Sequence, residues 1–123
     1  MQPVIDSLKN IHLFSLMLGG IFLIAGLITK LFPPKKINHF YGYRTRRSMK
    51  SQANWDFAQH YAPREMLRGG WIIIAFALSG MVFPSSILTD TIAGLILMTS
   101  IFVALIVRTE LAIKRYESSP RNN

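Results

Sequence analysis

Three apolar blocks divide the chain, and they constrain its fold more than any other feature. From Asn10 to Thr29 the only polar side chains are Asn10, His12, Ser15 and Thr29; Gly69 to Thr89 carries no charge, and neither does Thr91 to Val107. A helix crossing a bilayer needs about 20 mostly apolar residues. A soluble bundle would have to cover three such helices with polar surface, and a chain of 123 residues has too little of it. The expected fold is therefore an all-α integral membrane protein forming one domain over residues 1–123. Its three transmembrane helices are placed at about 11–32, 64–86 and 90–112, with a cytoplasmic loop and interfacial helix over 33–63. The first block is too long for the core of a cleaved signal, and no small-x-small cleavage sequence follows it, so it reads as a retained helix. Leu31 to Lys36 reads as its stop-transfer flank. Without cysteine there are no disulfides and no thiolate metal sites.

Orientation follows from the cations. Lys9 alone precedes the first block, and the other thirteen of the fourteen Lys and Arg lie between the first two blocks or after the third. With three spans these regions share one side, and the positive-inside rule places it in the cytoplasm. The chain is thus expected to be a multi-pass plasma-membrane protein with its N-terminus outside and its C-terminus inside. A pI near 10.3 would suit nucleic acid, but topology and anionic headgroups account for the charge, at about 1 kcal/mol per surface cation. The expected partners are therefore membrane lipids and not nucleic acid. Small-x-x-x-small pairs at Ser15/Gly19, Ala75/Ser79 and Ser100/Ala104 allow close helix approach. They leave intrachain packing and a homo-oligomer both open.

Between the first two blocks, Pro33 and Pro34 end a helix, and residues 35–47 show no apolar periodicity. From Ser51 the pattern becomes helical. Trp55, Phe57, Ala58, Tyr61 and Ala62 fall on one arc, with Gln52, Asp56, Gln59 and His60 opposite. Ser48 or Ser51 can cap this segment, and Pro63 can start the next helix. Residues 51–62 are therefore expected to form a short amphipathic helix at the cytoplasmic interface.

Topology requires cations here, but not this arrangement of them. The stretch NHFYGYRTRRSMKSQANWDFAQHY, residues 38–61, resembles the signature of the SdpI-like family, immunity proteins against a sporulation-delaying peptide toxin. The family pattern is an Asn, then Gly-x-Arg-Thr, a Ser or Thr soon after, and a Trp followed by a His or Asn. The matching positions are Asn38, Gly42, Arg44, Thr45, Ser48, Trp55 and His60. The chain is identified as a short three-helix member, whereas the family's prototype carries further spanning helices ahead of this module.

The resemblance implies an integral membrane immunity protein that protects the cell from a membrane-active peptide toxin, with these seven residues as the ligand- or partner-binding site. Two other classes fit the same features. One is a membrane receptor that sequesters a cytosolic regulator protein, and the other is a small anionic-lipid-binding protein. No Ser-His-Asp set, paired carboxylates or phosphate-cradling glycine loop appears, so no enzyme is expected. His39 and His60 lack a third ligand at metal spacing, so neither a metal nor a cofactor is expected.

Overall fold

Helix boundaries follow the capping and proline signals. The computed structural model describes residues 1–122, so Asn123, the last residue of the single 1–123 unit expected above, lies outside the described residues. The helices are α1 (Gln2–Lys9), α2 (Leu13–Leu31), α3 (Gln52–Ser79) and α4 (Ile87–Glu117), followed by a 3-10 turn at Pro120–Asn122. Pro3 sits in the first turn of α1, where its missing N–H costs nothing. Ser51 caps α3 by accepting from the Asn54 N–H at 3.1 Å. Ser86 caps α4 by accepting from Thr89 at 3.1 Å, and Asp90 in that first turn complements the helix dipole.

The expectation of three transmembrane helices with a separate interfacial helix is overturned. Two helices, Leu13–Leu31 and Ile87–Glu117, are long and apolar enough to cross a membrane. Residues 51–62 and the start of the expected second span are instead one continuous 28-residue helix, α3, with Pro63 inside it. The physical reason lies in its composition. Asn54, Asp56, Gln59, His60, Arg64, Glu65 and Arg68 occupy its first seventeen residues. The uninterrupted apolar run Trp71–Leu78 rises only about 12 Å. Pro63 removes one backbone hydrogen bond, yet the helix continues through it. Ala58, Gln59 and Ala62 before the proline and Glu65, Gly69 and Gly70 after it are all buried, so packing on both sides of the proline holds the two halves in line.

α3 packs closely on α2 and also on α4, whereas α2 and α4 touch each other least. Small residues make the close approach. A Cβ at Gly19 would stand 2.8 Å from Ile74 Cδ1, and one at Gly70 would stand 2.8 Å from Leu23 Cδ2. Of the three small-residue pairs, Ser15/Gly19 is buried inside the chain, while Ser100 and Ala104 face outward.

Two polar clusters mark the ends of the helices. At one end Ser15 donates to Asp90 Oδ1 at 2.8 Å, and His12 Nδ1 lies 3.9 Å from the same carboxylate. All three are buried, and a buried carboxylate is tolerable only with such partners. The His12 ring stacks on Phe76 with centroids 5.2 Å apart, and the His12 backbone N–H donates to Ala77 O. This ties the start of α2 to the end of α3. The other end carries the loop 33–51 and the last turns of α4.

The outward faces of α2 and α4 are apolar. Only 22% of the apolar window of α2 and 17% of that of α4 is buried, which is the reverse of a soluble core helix. Leu13, Met17, Ile21, Ile24, Ile96, Phe102 and Val103 are all exposed. Surfaces of this extent belong in lipid, and the chain is membrane-associated through these helices.

Candidate functional site

The loop between α2 and α3 is fixed residue by residue. Asn38 folds its start: its Oδ1 accepts from the Phe40 and Tyr41 N–H groups at 2.9 and 2.8 Å, and its Nδ2 donates to Lys36 O. This is the local side-chain turn that Asn favours. Tyr41 then donates its hydroxyl to Phe32 O at 2.6 Å, closing the loop onto the end of α2. Gly42 follows at φ 102, a left-handed conformation that glycine adopts without strain.

Tyr43 to Ser48 forms the centre. Gln59 brackets Tyr43, accepting from its N–H and donating to its carbonyl, both at 2.8 Å. The Tyr43 hydroxyl donates to Glu110 Oε1 at 2.8 Å and Thr45 donates to the same oxygen at 2.6 Å. Burial, and then the Glu110 carboxylate beside it, hold the Tyr43 phenol well above its usual range. It is therefore a neutral donor at any physiological pH. Thr45 and Ser48 exchange backbone-to-hydroxyl bonds at 2.8 and 3.1 Å, and Ser48 is fully buried.

Arg47 and Asn54 extend the join to the last turn of α4. Arg47 Nε lies 3.3 Å from Glu110 Oε2, and its Nη1 donates to Glu117 Oε2 at 2.8 Å. Asn54 donates to Glu117 Oε1 at 2.7 Å. Trp55 is fully buried and donates from Nε1 to Pro34 O at 2.8 Å, so it lies beneath the loop and not at a lipid surface.

Two signature residues stay exposed, and they face different places. Arg44 donates to the His39 carbonyl and lines a cavity of about 420 Å³ together with Gly42 and Thr45. His60 places Nδ1 2.7 Å from the Asp56 carbonyl and borders a separate groove with Pro33, Pro34 and Lys35. Its i,i+4 link to Asp56 thus runs through the backbone, while the Asp56 carboxylate accepts from Gln52. Of the seven signature residues, Gly42, Arg44 and Thr45 share one cavity. Asn38, Ser48 and Trp55 brace the loop that presents them.

Several residues that build the site were not singled out by sequence reasoning: Tyr43, Gln59, Glu110 and Glu117, with Arg47 and Asn54 as their partners. Gln59, expected on the polar outer face, is buried at 3% exposure, because the loop folds back over that face. Glu110 and Glu117 did carry a signal. They are seven residues apart, so they share a face of α4 just beyond an apolar block. Among the described residues no group of three or more His, Cys, Asp or Glu could hold a metal ion.

The SdpI/YfhL protein family matches the chain over residues 35–109, which takes in the loop from Lys35 onward, α3 and most of α4. Protein YfhL of Bacillus subtilis strain 168 is 50% identical over 60 residues. That match spans 49% of this chain and about half, 54%, of the relative's length. No solved structure matches.

Proposed function

The chain belongs to the SdpI/YfhL protein family, and we propose that it is a membrane protein that protects its cell from a membrane-active peptide, with the signature loop as its working surface. The observation that carries this reading is the double anchorage of the loop to α4. Glu110 takes Tyr43, Thr45 and Arg47, and Glu117 takes Arg47 and Asn54. A loop held in this way keeps its position relative to a helix that meets lipid along its length. A peptide disturbing the helices in the bilayer would therefore move a surface on the basic side, where Arg44 is presented.

The same reading sets the orientation. α2 and α4 both run from the His12–Asp90 end towards the loop, and Lys30 to Lys50 and Arg108 to Arg115 lie at the loop end. By the positive-inside rule that end is cytoplasmic. A reporter active only in the cytoplasm should work when fused after Asn123 and fail when fused at Met1. Equal activity from both fusions would defeat this orientation.

Arg44→Lys tests the site. An ammonium keeps the charge but not the guanidinium fork. Survival of a deletion strain carrying this variant under membrane-active peptide challenge should fall about tenfold or more, with normal expression. Arg46→Lys is the control, since Arg46 is exposed and lines neither the cavity nor the His60 groove. Arg47 would be a poor control because it joins two carboxylates of α4. Equal survival with Arg44→Lys and Arg46→Lys would leave the loop as a weight for topology alone.

A further inference from the structure

The cavity beside Arg44 has a chemical composition that singles out its occupant. It lies between α2 and α4 over a floor of α3, and Phe22, Ala25, Met66, Leu105 and Ile106 form its apolar interior. Its volume of about 420 Å³ falls within the roughly 300–1,000 Å³ of ligand pockets. Ile21 and Phe102 line it and are themselves 60% and 50% exposed, so the cavity opens sideways, on the face that meets lipid. Among the described residues Arg44 is the one cation in its lining.

Among the described residues Arg44, like Arg46 and Arg64, has no ion pair, and in this it differs from three other arginines. Arg47, Arg68 and Arg108 each have a carboxylate within 3.3 Å. Among the described residues no carboxylate lies within ion-pair distance of Arg44, whose one protein bond is to the His39 carbonyl. That bond fixes the guanidinium and leaves most of its five N–H donors available to an acceptor. The Glu110 carboxylate bonds Tyr43, Thr45 and Arg47 and makes no ion pair with Arg44.

We infer that the cavity holds one anionic phospholipid, drawn sideways from the bilayer, with an acyl chain between α2 and α4 and its phosphate on Arg44. The guanidinium bonds a phosphate through paired donors, and charge complementarity selects a headgroup of net negative charge, which brings no cation of its own up to Arg44. The apolar interior selects a chain in place of a soluble anion. This goes beyond the protective role, which can stand or fall without it.

The test is lipid retention by the purified, delipidated protein in mild detergent, read by native mass spectrometry. Dioleoylphosphatidylglycerol should be retained at one per chain, about tenfold or more over dioleoylphosphatidylcholine. Arg44→Gln should remove that preference, while Arg46→Gln, the same charge change outside the cavity, should keep it. Ala25→Leu, which fills the cavity, should reduce retention of both lipids. Circular dichroism melts confirm that the variants remain folded, and Arg44→Gln, at an exposed residue, decides the matter if Ala25→Leu does not fold. Three outcomes would overturn the inference: equal retention of the two lipids by the wild type, equal loss with Arg44→Gln and Arg46→Gln, or displacement of the phosphatidylglycerol by sodium phosphate alone. The peptide-survival assay reads the protective role separately.

Discussion

Trp55→Ala should lower the unfolding free energy by about 3–5 kcal/mol, the range for deleting a fully buried large aromatic side chain. Trp55 has no exposed surface, so its removal leaves a cavity under the loop. It also strands the Pro34 carbonyl that now accepts from Nε1 at 2.8 Å. Trp55→Phe separates the two effects, since it keeps most of the ring and loses the donor. It should cost about 1–3 kcal/mol. Thermal melts in detergent, followed by far-ultraviolet circular dichroism, measure both. A melt of Trp55→Ala that overlays the wild type would mean that the loop is not seated on this ring.

Gly42→Ala should be nearly as damaging despite adding one methyl group. At φ 102 an L-residue carries strain of about 1–3 kcal/mol. The new Cβ would also lie 2.5 Å from Gln59 Oε1 and 2.6 Å from Pro34 Cγ. Gln59 would have to move, breaking its two 2.8 Å bonds with Tyr43 at about 1 kcal/mol each. The double variant Gly42→Ala/Gln59→Ala removes the clash with Gln59 but keeps the one with Pro34 Cγ and the backbone strain. Its cost should therefore fall below the sum of the two single costs. Strict additivity, or a Gly42→Ala variant within about 0.5 kcal/mol of wild type, would mean that the turn is looser than described.

The parts of the fold that were legible in the sequence are those decided by local composition. The first apolar block lies in α2 from Leu13 to Thr29, and Thr91 to Val107 lies within α4, because a long run without charge has one stable form in lipid. Pro33 and Pro34 follow the end of α2, and Ser51 caps α3 as its residue type suggests. α3 itself was misread, because Pro63 looked like a start and the helical wheel allows only one buried arc. In the structure α3 is covered on one side by α2, on another by α4, and over Gln59 by the loop. A wheel cannot register three neighbours.

The site was legible in its residue types and not in its partners. Asn38, Thr45 and Ser48 are hydrogen-bonding residues suited to fixing a loop, and they do so. The carboxylates that anchor the loop lie 63–70 residues further along the chain. Their seven-residue spacing marks one face of α4 but does not name the loop as its partner, and only the return of α4 to the same end brings them together.

The two polar clusters also give the protein a fixed gauge. Asp90 is bonded to Ser15 at one end of α4 and Glu110 to Tyr43 and Thr45 at the other. The twenty-residue step from Asp90 to Glu110 rises about 30 Å, roughly the thickness of a bilayer's hydrocarbon core. A helix bonded at one end alone could slide along its neighbours to suit a thinner or thicker membrane, but α4 is bonded at both. It must instead tilt, or the lipid around it must stretch or compress, at a cost that grows with each ångström of mismatch. Anything that thins the bilayer around this protein therefore loads the hydrogen bonds at both ends of α4 together, including those that hold the loop in place.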